Sequence, residues 1–184
     1  MPPEMLAEIG EIASAAGAWV LCDEVYRGTE QEGDALGPSI VDVCERGIST
    51  GSMSKAFSLA GLRLGWIAGP AEVIDAAMHH RDYSTISVGM IDDYLAMIAL
   101  EHADLVLERS RSIVRANLAV LTDWVEGEPG VSWVKPAAGT TALLAYDLDM
   151  GSREFCIELL AETGVLFTPG SCLLYTSPSP RDRG

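Results

Sequence analysis

Apolar residues recur at helical spacing over residues 3–16, where Met5, Leu6, Ile9, Ile12 and Ala13 would form one face and Gly17 would close the helix. Residues 18–22 are instead a short unbroken apolar run ending on Asp23-Glu24, the pattern of a strand buried on both faces. Residues 30–38 are polar and Gly-rich and read as a loop; residues 39–45 read as a helix. Two further short strands, 47–51 and 64–69, flank a loop containing Lys55. Pro70 opens a helix through about Asp82, and His79, His80 and Arg81 suit its negative C-terminal end. Two more helices follow, 88–101 and a long amphipathic one over 103–125 that could bridge two domains. Beyond the Gly127 to Gly130 turn the pattern predicts strands at 131–134 and 140–146, a helix at 152–162 and a last strand at 165–168.

The order is that of an α/β chain in which a strand ends on a carboxylate, the place where ligands of open α/β sheets sit. A length of 184 residues with 48% hydrophobic residues supplies a real core. The formal charge of −15, with 12 scattered basic residues, argues against a nucleic-acid partner, which would require clustered Lys and Arg. No run has the length of a membrane span and the start lacks a signal-peptide layout, so a cytoplasmic protein is expected. Four separated cysteines, Cys22, Cys44, Cys156 and Cys172, suggest buried free thiols with no metal site. Glu24 and Glu30 read as solvated, and Tyr83, Ser84, Thr85, Thr140 and Thr141 as polar loop or strand-edge residues.

Periodicity stops at Cys172. The run C-L-L-Y-T-S-P-S-P-R-D can be reverse-translated into a sequence resembling the adapter of transposase-based sequencing libraries, so residues 172–184 are expected to be adapter read-through. Without them the basic count falls from 12 to 10 and the acidic count from 27 to 26, a net charge of −16.

Two motifs carry the chemistry. Ser52-Met53-Ser54-Lys55-Ala56-Phe57-Ser58-Leu59-Ala60-Gly61-Leu62-Arg63-Leu64-Gly65 resembles the lysine signature of the class I/II aminotransferases, and Asp23-Glu24-Val25-Tyr26 is similar to that family's D-E-x-Y element. The resemblance implies part of a fold type I pyridoxal-phosphate enzyme: a mixed sheet with helices on both faces, then the start of a small α+β domain. Its implied boundaries are 1–102 for the large domain, 103–127 for an interdomain helix and 128–171 for the small domain. It also implies pyridoxal 5'-phosphate as cofactor, an L-amino acid and a 2-oxo acid as substrates, and a homodimeric parent.

Lys55 would form the Schiff base and move the Cα proton, for which it must first shed its own. By resemblance Asp23 would keep the pyridine nitrogen protonated, Tyr26 would bond the ring oxygen, and Ser52, Ser54 and Arg63 would take the phosphate. The family's N-terminal elements, and the arginine for the substrate carboxylate that follows a segment like Val165-Leu166-Phe167-Thr168-Pro169-Gly170, are not found, so this chain alone is expected to be inactive and poorly folded. A lyase or cyclising enzyme of the same fold is the alternative. An aminotransferase-like effector domain of a transcription regulator is a further one, marked by a helix-turn-helix in the full gene.

Overall fold

A computed structural model describes residues 1–33 and 36–173. The described residues divide into two compact units, Met1–Thr122 with Lys135–Thr141, and Asp123–Val134 with residues 142–173.

The first unit begins with α1 (Pro3–Ala15), started by a proline that has no amide to lose and ended before Gly17 at φ +63°. Its buried face is Leu6, Gly10 and Ala13; Met5 and Ile12 are exposed, so the face is narrower than the apolar spacing predicts. Next come β1 (Val20–Asp23), the short α2 (Ile40–Val43), β2 (Gly47–Ser52) and β3 (Gly65–Ala68). The sheet order is β1-β2-β3, with β1 parallel and β3 antiparallel to β2, so the sheet is mixed.

Leu6, Ile40 and Cys44 form a core against Val20 and Cys22 on one side of β1. The other side differs from the expectation of burial on both faces. Leu21 is 68% exposed, because nothing among the described residues covers that side.

The helices α3 (Ala71–Arg81), α4 (Met90–Glu101) and α5 (Ala103–Gly127) complete the first unit, α5 running on into the second. His79, His80 and Arg81 occupy the last turn of α3. Ala96 and Ala99 of α4 and Leu107 of α5 pack on Met53, Ala56 and Phe57 of the Lys55 loop. Met53 is fully buried, so the loop is anchored by its own apolar residues on both sides of the lysine. The opposite face of α4 exposes Met90, Ile91 and Tyr94.

In the second unit β4 (Val131–Trp133) pairs antiparallel with β5 (Leu144–Tyr146), and α6 (Ser152–Thr163) follows. The Tyr146 and Phe155 rings stack at 4.5 Å. Residues 165–168 form no strand: Leu166 is 76% exposed and no neighbouring edge offers backbone partners among the described residues. The strand expected over 140–146 is confined to its last three residues, which are the ones that find register partners on β4. Of the four thiols, Cys44 and Cys156 are buried as expected, whereas Cys22 is half-buried and Cys172 exposed. Gly170–Cys172 is a 3₁₀ turn; residues 174–184 of the expected adapter tail lie outside the described residues.

Candidate active site

Parallel pairing brings the C-terminal ends of β1 and the following turn beside β2, with Asp23 opposite Thr50. Register partners share a face, and the Thr50 hydroxyl donates to Asp23 Oδ1 at 3.3 Å. The Val25 amide reaches the same oxygen at 3.3 Å. Asp23 is exposed, at the wall of an open cleft of about 640 Å³ that Cys22, Tyr26, Gln31 and Lys135 also line.

β2 ends at Ser52, and the chain then turns tightly through Lys55. The turn is fixed by backbone bonds from Met53 to the Leu64 carbonyl (3.0 Å), from Ala56 to Val25 (3.2 Å) and from Leu59 to Met53 (2.8 Å). The Ala56 bond ties the lysine turn to the Asp23–Tyr26 turn. Lys55 is exposed, its Nζ 6.0 Å from the centroid of the Tyr26 ring. Ser52 Oγ accepts the Ser54 amide at 3.3 Å. Arg63 is exposed in the left-handed region (φ +48°), and its guanidinium donates to the Ala60 carbonyl at 3.0 Å. The structure thus brings Asp23, Tyr26 and Lys55 to one end of the sheet; Lys55, Ser54 and Arg63 are not walls of the 640 Å³ cleft.

Several supporting residues escape the sequence reading. Glu24 is not simply solvated: its Oε1 accepts the Ile40 amide at 2.7 Å and the Ser39 hydroxyl at 2.9 Å, placing a carboxylate on the start of α2. Glu30 is also engaged, its Oε1 accepting the Gly28 and Gly37 amides, each at 3.2 Å, and so closing the loop between them. The buried Thr29 hydroxyl donates to the Tyr26 carbonyl at 2.6 Å and accepts the Gly139 amide at 2.9 Å. Gln31 adds a bond from its amide to the Ala137 carbonyl at 2.9 Å. These contacts hold residues 137–139 against the Tyr26 turn. Arg115 of α5 donates to the Glu30 carbonyl at 3.0 Å and also to that of Gly33. A register assignment for β1 and β2 would have exposed Thr50; no local signal marks Thr29.

Burial, then the charges of Glu24 and Asp23, push the Cys22 thiol above its ordinary range. Its thiolate therefore forms only at higher pH, so iodoacetamide should modify Cys22 with a pH profile displaced upward from that of free cysteine. Asp23→Asn should lower that profile only in part, since burial and Glu24 remain; no movement in Asp23→Asn would contradict the share assigned to Asp23.

The profile of the family described as aminotransferase class I and II matches residues 1–181. Capreomycidine synthase of Streptomyces vinaceus is 28% identical over 169 residues, covering 91% of this chain and 43% of that protein. Aspartate aminotransferase of Geobacillus stearothermophilus is 29% identical over 183 residues, covering 91% of this chain and 45% of its own length. Among solved structures, a PLP-dependent aminotransferase from Streptococcus suis 89-1591 superposes with a TM-score of 0.87 at 44% identity, covering 93% of this chain and 45% of that one. The PLP-dependent cyclase OrfR superposes with a TM-score of 0.82 at 29% identity, covering 93% and 47%. The chain thus spans less than half the length of these relatives. A mixed sheet flanked by helices, the two motifs at its strand ends and the match along nearly the whole sequence agree: the chain belongs to the class I and II aminotransferase family and carries part of its fold.

Proposed function

We infer that this chain is the cofactor-holding part of an enzyme that uses pyridoxal 5'-phosphate to move an amino group from an L-amino acid to a 2-oxo acid. The observation that carries the reading is the meeting of the Lys55 amine with the Tyr26 ring, 6.0 Å from its centroid, beside the strand end that presents Asp23. The donor set suits the cofactor: one amine, one phenol, two serine hydroxyls, one guanidinium, and a carboxylate whose two protein bonds both arrive at Oδ1. When bound, pyridoxal phosphate supplies an aldehyde and a pyridinium ring that accepts electron density from the substrate Cα.

In this reading the Lys55 amine holds the cofactor, and its Nζ carries the proton taken from and returned to the substrate carbon. Asp23 Oδ2 would accept the ring N–H and favour its protonated form. Tyr26 donates its hydroxyl to the ring oxygen, while Ser52, Ser54 and Arg63 offer donors to the phosphate. The domain boundaries implied above, a homodimeric assembly and a cytoplasmic setting belong to the same proposal. Among the described residues no helix is long and apolar enough to cross a membrane.

A second reading, elimination or cyclisation with the same cofactor, draws support from the similarity to capreomycidine synthase and to OrfR. The two separate in one assay, run on the chain and on the full open reading frame recovered from its source DNA. With pyridoxal phosphate, amino acids and a 2-oxo acid, the full frame should yield one new 2-oxo acid for each amino group transferred, and the chain alone should not turn over. Release of ammonia or a cyclic product without consumption of the 2-oxo acid selects the second reading. Absence of any amino acid conversion by the full frame would overturn both.

A further inference from the structure

We propose that Thr50 is a positioning residue for Asp23, an inference that rests on the role given to Asp23 above. The two residues are register partners in a parallel ladder, so their side chains rise from the same face of the sheet. The Thr50 hydroxyl and the Val25 amide both donate to Asp23 Oδ1, each at 3.3 Å. Their convergence on Oδ1 leaves Oδ2 available to accept a bond from a ligand at the strand end. Asp23 is exposed, so packing does not hold its rotamer and the hydrogen bonds must.

Thr50 suits this role in two further ways. As a β-branched residue it has few χ1 states, which keeps its hydroxyl aimed. Its carbonyl accepts the Glu24 amide at 2.8 Å, so the same residue fixes the backbone just after Asp23. It also lies on β2, five residues before Lys55, and thereby ties the carboxylate to the strand that delivers the amine.

The test uses the product of the full open reading frame and compares the parent protein with Thr50→Val, which keeps the shape and loses the hydroxyl, and Thr50→Ser, which keeps the hydroxyl. Without cofactor, three-bond couplings should report one Asp23 χ1 rotamer in the parent and in Thr50→Ser, and averaging in Thr50→Val. An unchanged single rotamer in Thr50→Val would overturn the proposal. Pyridoxal phosphate affinity, read from the visible absorbance of the full open reading frame's product, should fall about ten-fold in Thr50→Val and stay within about two-fold in Thr50→Ser. In an Asp23→Ala background Thr50→Val should change affinity by less than about two-fold, since a residue acting through Asp23 has nothing left to act on. Equal losses in both backgrounds would assign Thr50 to strand stability alone and overturn the proposal. If Asp23→Ala itself binds the cofactor as tightly as the parent, the Asp23 role fails and Thr50's with it. That result is distinct from failure of Thr50 alone, in which Asp23→Ala still weakens binding.

Discussion

Lys55→Ala is expected to abolish the covalent trapping of pyridoxal phosphate by borohydride. The chain has two lysines, Lys55 and Lys135, so the experiment carries its own control. Lys135 lines the same cleft as Asp23 and would compete if access to that cleft were all that mattered. The turn favours Lys55: it stands against Tyr26 on a loop whose neighbours Met53, Ala56 and Phe57 are locked into the core. Peptide mapping of the parent should therefore place the reduced adduct on Lys55. In the full open reading frame the same substitution should lower amino-group transfer by about a thousand-fold, the scale of losing a positioned proton carrier. Lys55→Arg should not restore it, since a guanidinium keeps its proton and makes no such adduct.

The second large effect falls on the fold. A Cβ at Gly47 would lie 2.7 Å from the Ile40 carbonyl oxygen and 2.9 Å from that of Cys44. Both are backbone atoms of α2 and its end, so relief requires the helix or β2 to move. Gly47→Ala should cost about 2–3 kcal/mol in urea unfolding, within the range of overpacking in a tight site. Gly61 has no atom within 4 Å of such a Cβ and an ordinary φ, so Gly61→Ala should change stability by less than about 0.5 kcal/mol. If the two substitutions prove equally harmless, α2 is not held against β2 as described. Because β2 leads directly into the Lys55 turn, amide exchange there should quicken in Gly47→Ala and not in Gly61→Ala.

Much of this architecture is legible in the sequence where local chemistry and tertiary context agree. The apolar run before Asp23 and the strands flanking Lys55 form, because β-branched and small residues there meet partner strands in register. The segment 165–168 is equally apolar but has no partner edge among the described residues, so composition alone does not make it a strand. Leu21 likewise follows the pattern of a buried strand yet stays exposed, since burial depends on what packs above it. Glu24 and Glu30 look like surface carboxylates from their neighbours in sequence. Their partners, Ile40 and Gly37, lie 16 and 7 residues away, beyond the reach of a local pattern. At the site, the motifs single out Asp23, Tyr26 and Lys55, whose meeting at one sheet end the structure describes. Thr50 and Thr29 act through contacts that only the register and the folded loop create.

The most direct test is a crystal structure of the full open reading frame's product grown with pyridoxal phosphate. The account predicts continuous electron density from Lys55 Nζ to the cofactor, with the pyridine nitrogen facing Asp23 Oδ2. Density joined to Lys135, or a ring held at Lys55 whose nitrogen faces away from Asp23, would contradict it.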